Sequence, residues 1–220
     1  MNQGTVFFLP RTPIIWLNLI NCLYLKLTVN DDRLYEYTKM INQVLEKIGR
    51  FSEEELNLIH KHCIPRTIKK NEILLEAGQV CRSVYFAVSG AFYQYRMHDI
   101  DENIIDLHIE NEWFLNYASF ISQKPSVDTL RAYSDSEILE LTVDSLHHLI
   151  GLSPVFFQLA KLMQAPALRS QFFDEAMTPT EKYNHVLEHR PQLLQKFPLK
   201  YIASYLKITP ETLSRVRAVY

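Results

Sequence analysis

Leu199-Lys-Tyr-Ile-Ala-Ser-Tyr-Leu-Lys-Ile-Thr-Pro-Glu-Thr-Leu-Ser-Arg-Val-Arg-Ala-Val-Tyr220 is the most informative stretch of this sequence. Its apolar positions Ile202, Leu206, Ile208, Leu213 and Val216 fit the buried side of two short helices joined by a turn. Ala203 falls where the helices approach most closely, a place that needs a small side chain. The second helix has a well-marked start, with Thr209 as N-cap, Pro210 at the first helical position and Glu211 in the first turn. Its outer side carries Glu211, Thr212, Ser214, Arg215 and Arg217, of which Glu211, Ser214 and Arg215 lie at i, i+3 and i+4 and so share a face. Arginine donates two bonds to guanine, glutamate accepts from cytosine, and hydroxyls serve bases or phosphates, so this face has the chemistry of a DNA reader. Lys207 is the exception: it occupies the turn where glycine is usual, which predicts a strained left-handed residue.

Upstream, Tyr183, Val186, Leu187, Leu193 and Leu194 complete a small helical core. From Thr178 onward seven Lys and Arg face three Glu, a basic segment in a chain whose net charge is -2. Met177-Thr178-Pro179 reads as a boundary. Before it, a Ser153-Pro154 start opens a helix with Val155, Phe156, Leu159, Leu162, Met163, Leu168, Phe172, Phe173 and Ala176 on its apolar stripe, kinked or divided at Pro166. Its place between two modules favours an interface over a core.

Further upstream the pattern changes to short β-rich runs at 64–69, 73–75, 83–88, 91–97, 103–109, 129–132 and 137–141. Turns at Gly78, Ser89-Gly90 and Asp99-Ile-Asp101 separate them, as in a sandwich or barrel. A helix ending at Gly49 precedes them, with Leu34, Tyr37, Ile41, Val44, Leu45 and Ile48 inward. Ser52 with Glu55 forms a capping box for a second, carrying Leu56 and Ile59. The fold expected is α+β, with a jelly-roll-like β-roll flanked by helices. Residues 1–33 hold an apolar stretch interrupted by Asn18, Asn21 and Lys26. It reads as an added packing segment or an over-long reading frame starting near Met40, with a signal or anchor as the lesser reading.

With 220 residues, 47% hydrophobic and 22% charged, the chain suits a globular core and excludes a membrane bundle, a fibre or a disordered tail. Three cysteines without a CxxC argue against a disulfide framework or a Cys-rich zinc site and point to a reducing cytoplasm. His185-Val-Leu-Glu-His189 spells an inverted zincin motif, but only a short helical tail follows to supply a third ligand, and Val186 and Leu187 suit a core face. His60, His62 and Cys63 would be scattered by a helix end. Asp106, His108 and Glu110 alternate on one strand without a second histidine strand. No nucleophile elbow, P-loop or dinucleotide fingerprint is present, so neither enzyme activity nor a cofactor is expected.

Glu76-Ala-Gly78, Val84-Tyr-Phe-Ala-Val-Ser-Gly90, Ile202-Ala-Ser-Tyr-Leu206 and Thr209-Pro-Glu-Thr-Leu-Ser-Arg215 together make the chain from about Met40 resemble a Crp/Fnr-type transcription regulator. The resemblance implies a cyclic-nucleotide-binding-like β-roll over 34–150, a dimerisation helix and linker over 151–177, and a helix-turn-helix over 178–220. It implies a homodimer on double-stranded DNA, a small-molecule effector and contact with RNA polymerase. On DNA, Glu211 and Arg215 would approach bases with Thr212 and Ser214 on the same helix, while Lys200, Ser204, Thr209 and Arg217 would meet phosphates.

Two departures qualify this. The stretch from Glu112 to Arg131 lacks the arginine pair that a cyclic phosphate needs, Arg131 lies too far along, and Asp128 would repel a phosphate. Cyclic AMP binding is therefore expected to be lost, with Asn116, Tyr117, Ser126 and Arg131 as candidates for another effector's pocket. The chain also stops at Tyr220 without a full β-hairpin wing, which implies modest DNA affinity. The rival reading is a signalling module whose helix-turn-helix contacts protein instead of DNA.

Overall fold

A computed structural model describes residues 31–163 and 177–218. The N-terminal extension up to residue 30 and residues 164–176 of the expected dimerisation helix lie outside these. Helices α1 (Asp31–Ile48) and α2 (Glu53–His62) lead in. As the sequence predicts, Ser52 and Glu55 form a reciprocal capping box at the start of α2.

Eight strands follow: β1 (Ile64–Ile68), β2 (Ile73–Leu75), β3 (Ser83–Ser89), β4 (Ala91–His98), β5 (Asp101–Ile109), β6 (Trp113–Phe114), β7 (Thr129–Ala132) and β8 (Ser136–Thr142). They pair antiparallel into two four-stranded sheets, β1-β8-β3-β6 and β2-β7-β4-β5. The seven sequence runs coincide with seven of these strands. The two-residue β6 and helix α3 (Tyr117–Ser122) were not foreseen, because neither is long enough to show a period. Gly90 joins β3 to β4 at φ 87°, and a Cβ there would come within 2.8 Å of the Asp135 carbonyl oxygen. Only glycine fits this turn without displacing backbone.

The main core lies between the sheets, where Phe86, Phe92, Phe114, Leu130 and Ile138 are sealed beneath Leu45, Ile59 and the helix α4 (Val143–Leu152). Alternation along β4 sends Phe92 into that core and Tyr93 and Tyr95 the other way. On that opposite face they meet Ile104 and Leu107 of β5, and a second core begins.

The segment after α4 holds the start of the expected pairing helix. Pro154–Met163 is a 3-10 helix, and Phe156, Leu159 and Leu162 are buried in the chain's own core. The cause is local docking: Phe156 stacks on Phe51, Lys161 Nζ donates to the Ile48 carbonyl at 2.6 Å, and Gln158 Oε1 accepts from Arg50 N at 3.3 Å. These three apolar side chains are thus already spent within one chain, while Phe157 stays 63% exposed.

The C-terminal helices are α5 (Pro179–His189), α6 (Pro191–Lys196), α7 (Leu199–Tyr205) and α8 (Pro210–Arg217). Tyr183, Val186, Leu193, Phe197, Ile202, Ala203, Tyr205, Leu206 and Leu213 share one apolar cluster with Tyr93, Tyr95, Ile104 and Leu107. Residues Tyr37–Tyr220 accordingly form one compact unit. Among the described residues no helix is long and apolar enough to cross a membrane.

Candidate functional site

The last helix is built by local rules. Lys207 takes φ 55°, its N–H donates to Ser204 O at 3.0 Å, and Ile208 N–H donates to Ala203 O at 3.0 Å. This pair of bonds closes α7 in a Schellman turn, with lysine standing where glycine is favoured. Thr209 then caps α8, its Oγ1 accepting from Thr212 N at 3.2 Å. Ala203 is fully buried between the helices and Leu213 anchors α8.

The consequence is an open polar face. Glu211, Ser214, Arg215 and Arg217 are exposed and Thr212 is half-exposed. The Glu211 backbone N–H and the Thr209 hydroxyl hold the Glu211 carboxyl below the usual carboxylate range, so it is an anionic acceptor at neutral pH. Lys200 is exposed on α7. Ser204 is placed differently from the other candidates: its Oγ accepts from Ile104 N at 2.9 Å, so it faces β5 of the roll.

A charged clamp reinforces that docking. Arg190, at the junction of α5 and α6, donates to Leu107 O at 2.8 Å and to both Glu112 oxygens at 2.9 and 3.0 Å. Its other amino group lies 3.6 Å from Asp106 and reaches the Tyr205 hydroxyl. Burial opposes the Arg190 charge, but Glu112 and Asp106 outweigh it and hold the guanidinium above its ordinary pKa. His108 is fully buried beside this clamp, stacked on Phe114, with Nδ1 3.5 Å from Glu112 and 3.8 Å from Asp106.

A cleft of about 650 Å³ opens between the second sheet, α3 and the turn carrying Lys207. Asn116 and Tyr117 line it. Ser126 and Arg131 do not. Ser126 is buried against the Asp128 backbone. Arg131 is drawn to the other side of the sheet by Glu102 at 2.9 Å and lies over the Tyr95 ring. Sequence reading missed Gln94, Arg96, Asp106 and Lys207 as lining residues. Two polar residues two apart in the otherwise apolar start of β4 were the available signal for the first pair.

The remaining histidine motifs have ordinary partners. His185 and His189 stack at 4.3 Å, His60 bonds Asn42, His62 packs on His148, and Glu110 pairs with Lys196. Among the described residues no group of three or more His, Cys, Asp or Glu side chains could hold a metal ion.

Comparison with known proteins agrees with this layout. Residues 65–151 match the family model of the cyclic nucleotide-binding domain. Among solved structures, FixK2 from Bradyrhizobium japonicum superposes with a TM-score of 0.60 at 20% identity, over 71% of this chain and 83% of that one. A protein described as a transcriptional regulator of the Crp/Fnr family, from Eubacterium rectale, gives 0.53 at 15%, over 77% and 83%. The sensor domain of the transcriptional regulator DNR from Pseudomonas aeruginosa gives 0.51 at 18%, over 67% and 97%. No curated protein sequence matches. Residues 65–151 thus match the cyclic nucleotide-binding domain model, and the chain is similar in fold to solved structures that include FixK2 and a described Crp/Fnr-family regulator.

Proposed function

We propose that the chain is a DNA-binding transcription regulator of the Crp/Fnr type, working in the cytoplasm as a homodimer. In this reading α8 enters the major groove, Arg215 and Glu211 read base edges, and Arg217, Thr209 and Lys200 engage phosphates. The observation that carries it is the open face of α8, where Glu211, Ser214 and Arg215 stand together on a helix whose opposite side is anchored by buried Leu213. The cleft is the effector site, and a ligand that favours one arrangement of the dimer would change the spacing of the two reading helices. Contact with RNA polymerase would carry the effect to transcription.

Selection of bound sequences from random duplex DNA is expected to return a two-fold symmetric consensus. Arg215→Ala should cost about 1–3 kcal/mol and relax preference at one position of each half-site. Arg217→Ala should weaken all sequences alike and flatten the salt dependence. Unchanged shifts for both variants would favour the second reading, a signalling module whose C-terminal helices contact protein. The docking of α7 on the roll through Ser204 and Ile104 is the observation on that side.

A further inference from the structure

Asp128 stands on the wall of the cleft with its side chain only 7% exposed. Three donors from two segments, Gln94 and Arg96 on β4 and Asn116 at the start of α3, converge on it. Arg96 Nε donates to Oδ1 at 2.8 Å, while Gln94 Nε2 and Asn116 Nδ2 donate to Oδ2 at 2.9 and 3.3 Å. Gln94 and Asn116 are themselves buried, and buried amide donors require an acceptor. One guanidinium and two amides gathered around a point on a cleft wall make a seat for an anion. Here the acceptor is part of the chain. Ser126 clamps it from behind, its Oγ donating to Asp128 O at 2.8 Å and accepting from Asp128 N at 3.0 Å.

We infer that Asp128 is a tethered anion filling this seat, so that the cleft is closed to phosphate-bearing ligands and takes an uncharged or cationic one. Such a ligand would pack on Ile104, Leu115, Tyr117 and Ile121, the apolar part of the lining. The inference rests on the proposed function only in treating the cleft as the effector site. A second anion entering the folded cleft would meet the Asp128 charge and find the Arg96 Nε–H and the Gln94 and Asn116 amides already engaged. Removing the carboxylate leaves those donors without their acceptor and creates an anion site that the natural chain lacks.

The test is calorimetric titration of the full chain, without DNA, using inorganic sulfate and cyclic AMP as probes. The natural chain should give no saturable binding of either. Asp128→Ala should bind sulfate at least about tenfold more tightly, and Arg96→Ala in the same chain should abolish the gain. Asp128→Asn, which keeps the shape and one acceptor, should gain less and serves if the alanine variant does not fold. Saturable binding of cyclic AMP or sulfate by the natural chain, matching or exceeding that of the variants, overturns the inference. So does a folded Asp128→Ala or Asp128→Asn chain that gains no sulfate binding. Failure of the chain to bind duplex DNA would count against the regulator reading and leave these titrations untouched.

Discussion

Arg190 is where a single side chain joins the two halves of the molecule. Its guanidinium satisfies a strand carbonyl at Leu107 and a carboxylate at Glu112, and the charge is 16% exposed against 19% for its partner. Removing one member of such a pair strands the other, so the cost exceeds that of a surface ion pair. Arg190→Ala is expected to lower the stability of the full chain by about 3 kcal/mol, read from urea denaturation. The double variant Arg190→Ala with Glu112→Gln should cost much less than the sum of the two single changes. Additive losses would mean that the clamp is not acting as one interaction. Nothing in the local sequence singles out Arg190, which reads as one more cation in a basic segment, and its partner lies 78 residues away.

At the scale of elements, helix ends are where sequence and structure agree most closely. Thr178 accepts from Glu181 N, and the Glu181 carboxylate accepts in return from Thr178 N at 2.7 Å. The Thr178 backbone N–H and then its hydroxyl hold the Glu181 carboxyl below its ordinary pKa. A depressed folded value means that its stabilising contribution is complete above the unfolded pKa of about 4.3 and disappears as pH falls through the folded value. Glu181→Gln should therefore reduce the stability of α5 at neutral pH, and the gap between variant and natural chain should close on acidification below about pH 4. Thermal melts across that range check it, and a gap that persisted in acid would show that the effect is not the carboxylate charge. The Ser52–Glu55 capping box, the Thr209 cap and the left-handed Lys207 are legible in sequence because each is decided within about five residues.

At the scale of the whole molecule, the roll and the C-terminal helices pack on one another. Tyr93 and Tyr95 leave the roll's inner core to join a cluster with Tyr205, Leu206 and Leu213, so the C-terminal helices and the roll share buried surface. Shared burial couples their unfolding. In native-state hydrogen exchange, the slowest amides of β5 and those at Ile202, Leu206 and Leu213 should open with one common free energy. Tyr205→Ala should lower both by about 3 kcal/mol. If the C-terminal amides alone lost protection, the halves would be separate cooperative units.

The amino acids by themselves determined the two helix pairs, seven strands, the roll's turns and the polar face of α8, because period, capping and turn chemistry act over a few residues. Only the tertiary structure decided which face of β4 meets which core, that Pro154–Met163 folds back on its own chain, that Ser204 turns to Ile104, and that Gln94, Arg96 and Asn116 converge on Asp128. Strands buried on both faces carry the same apolar pattern whichever core they serve, and polar groups brought together across the fold leave no mark in the spacing of the chain.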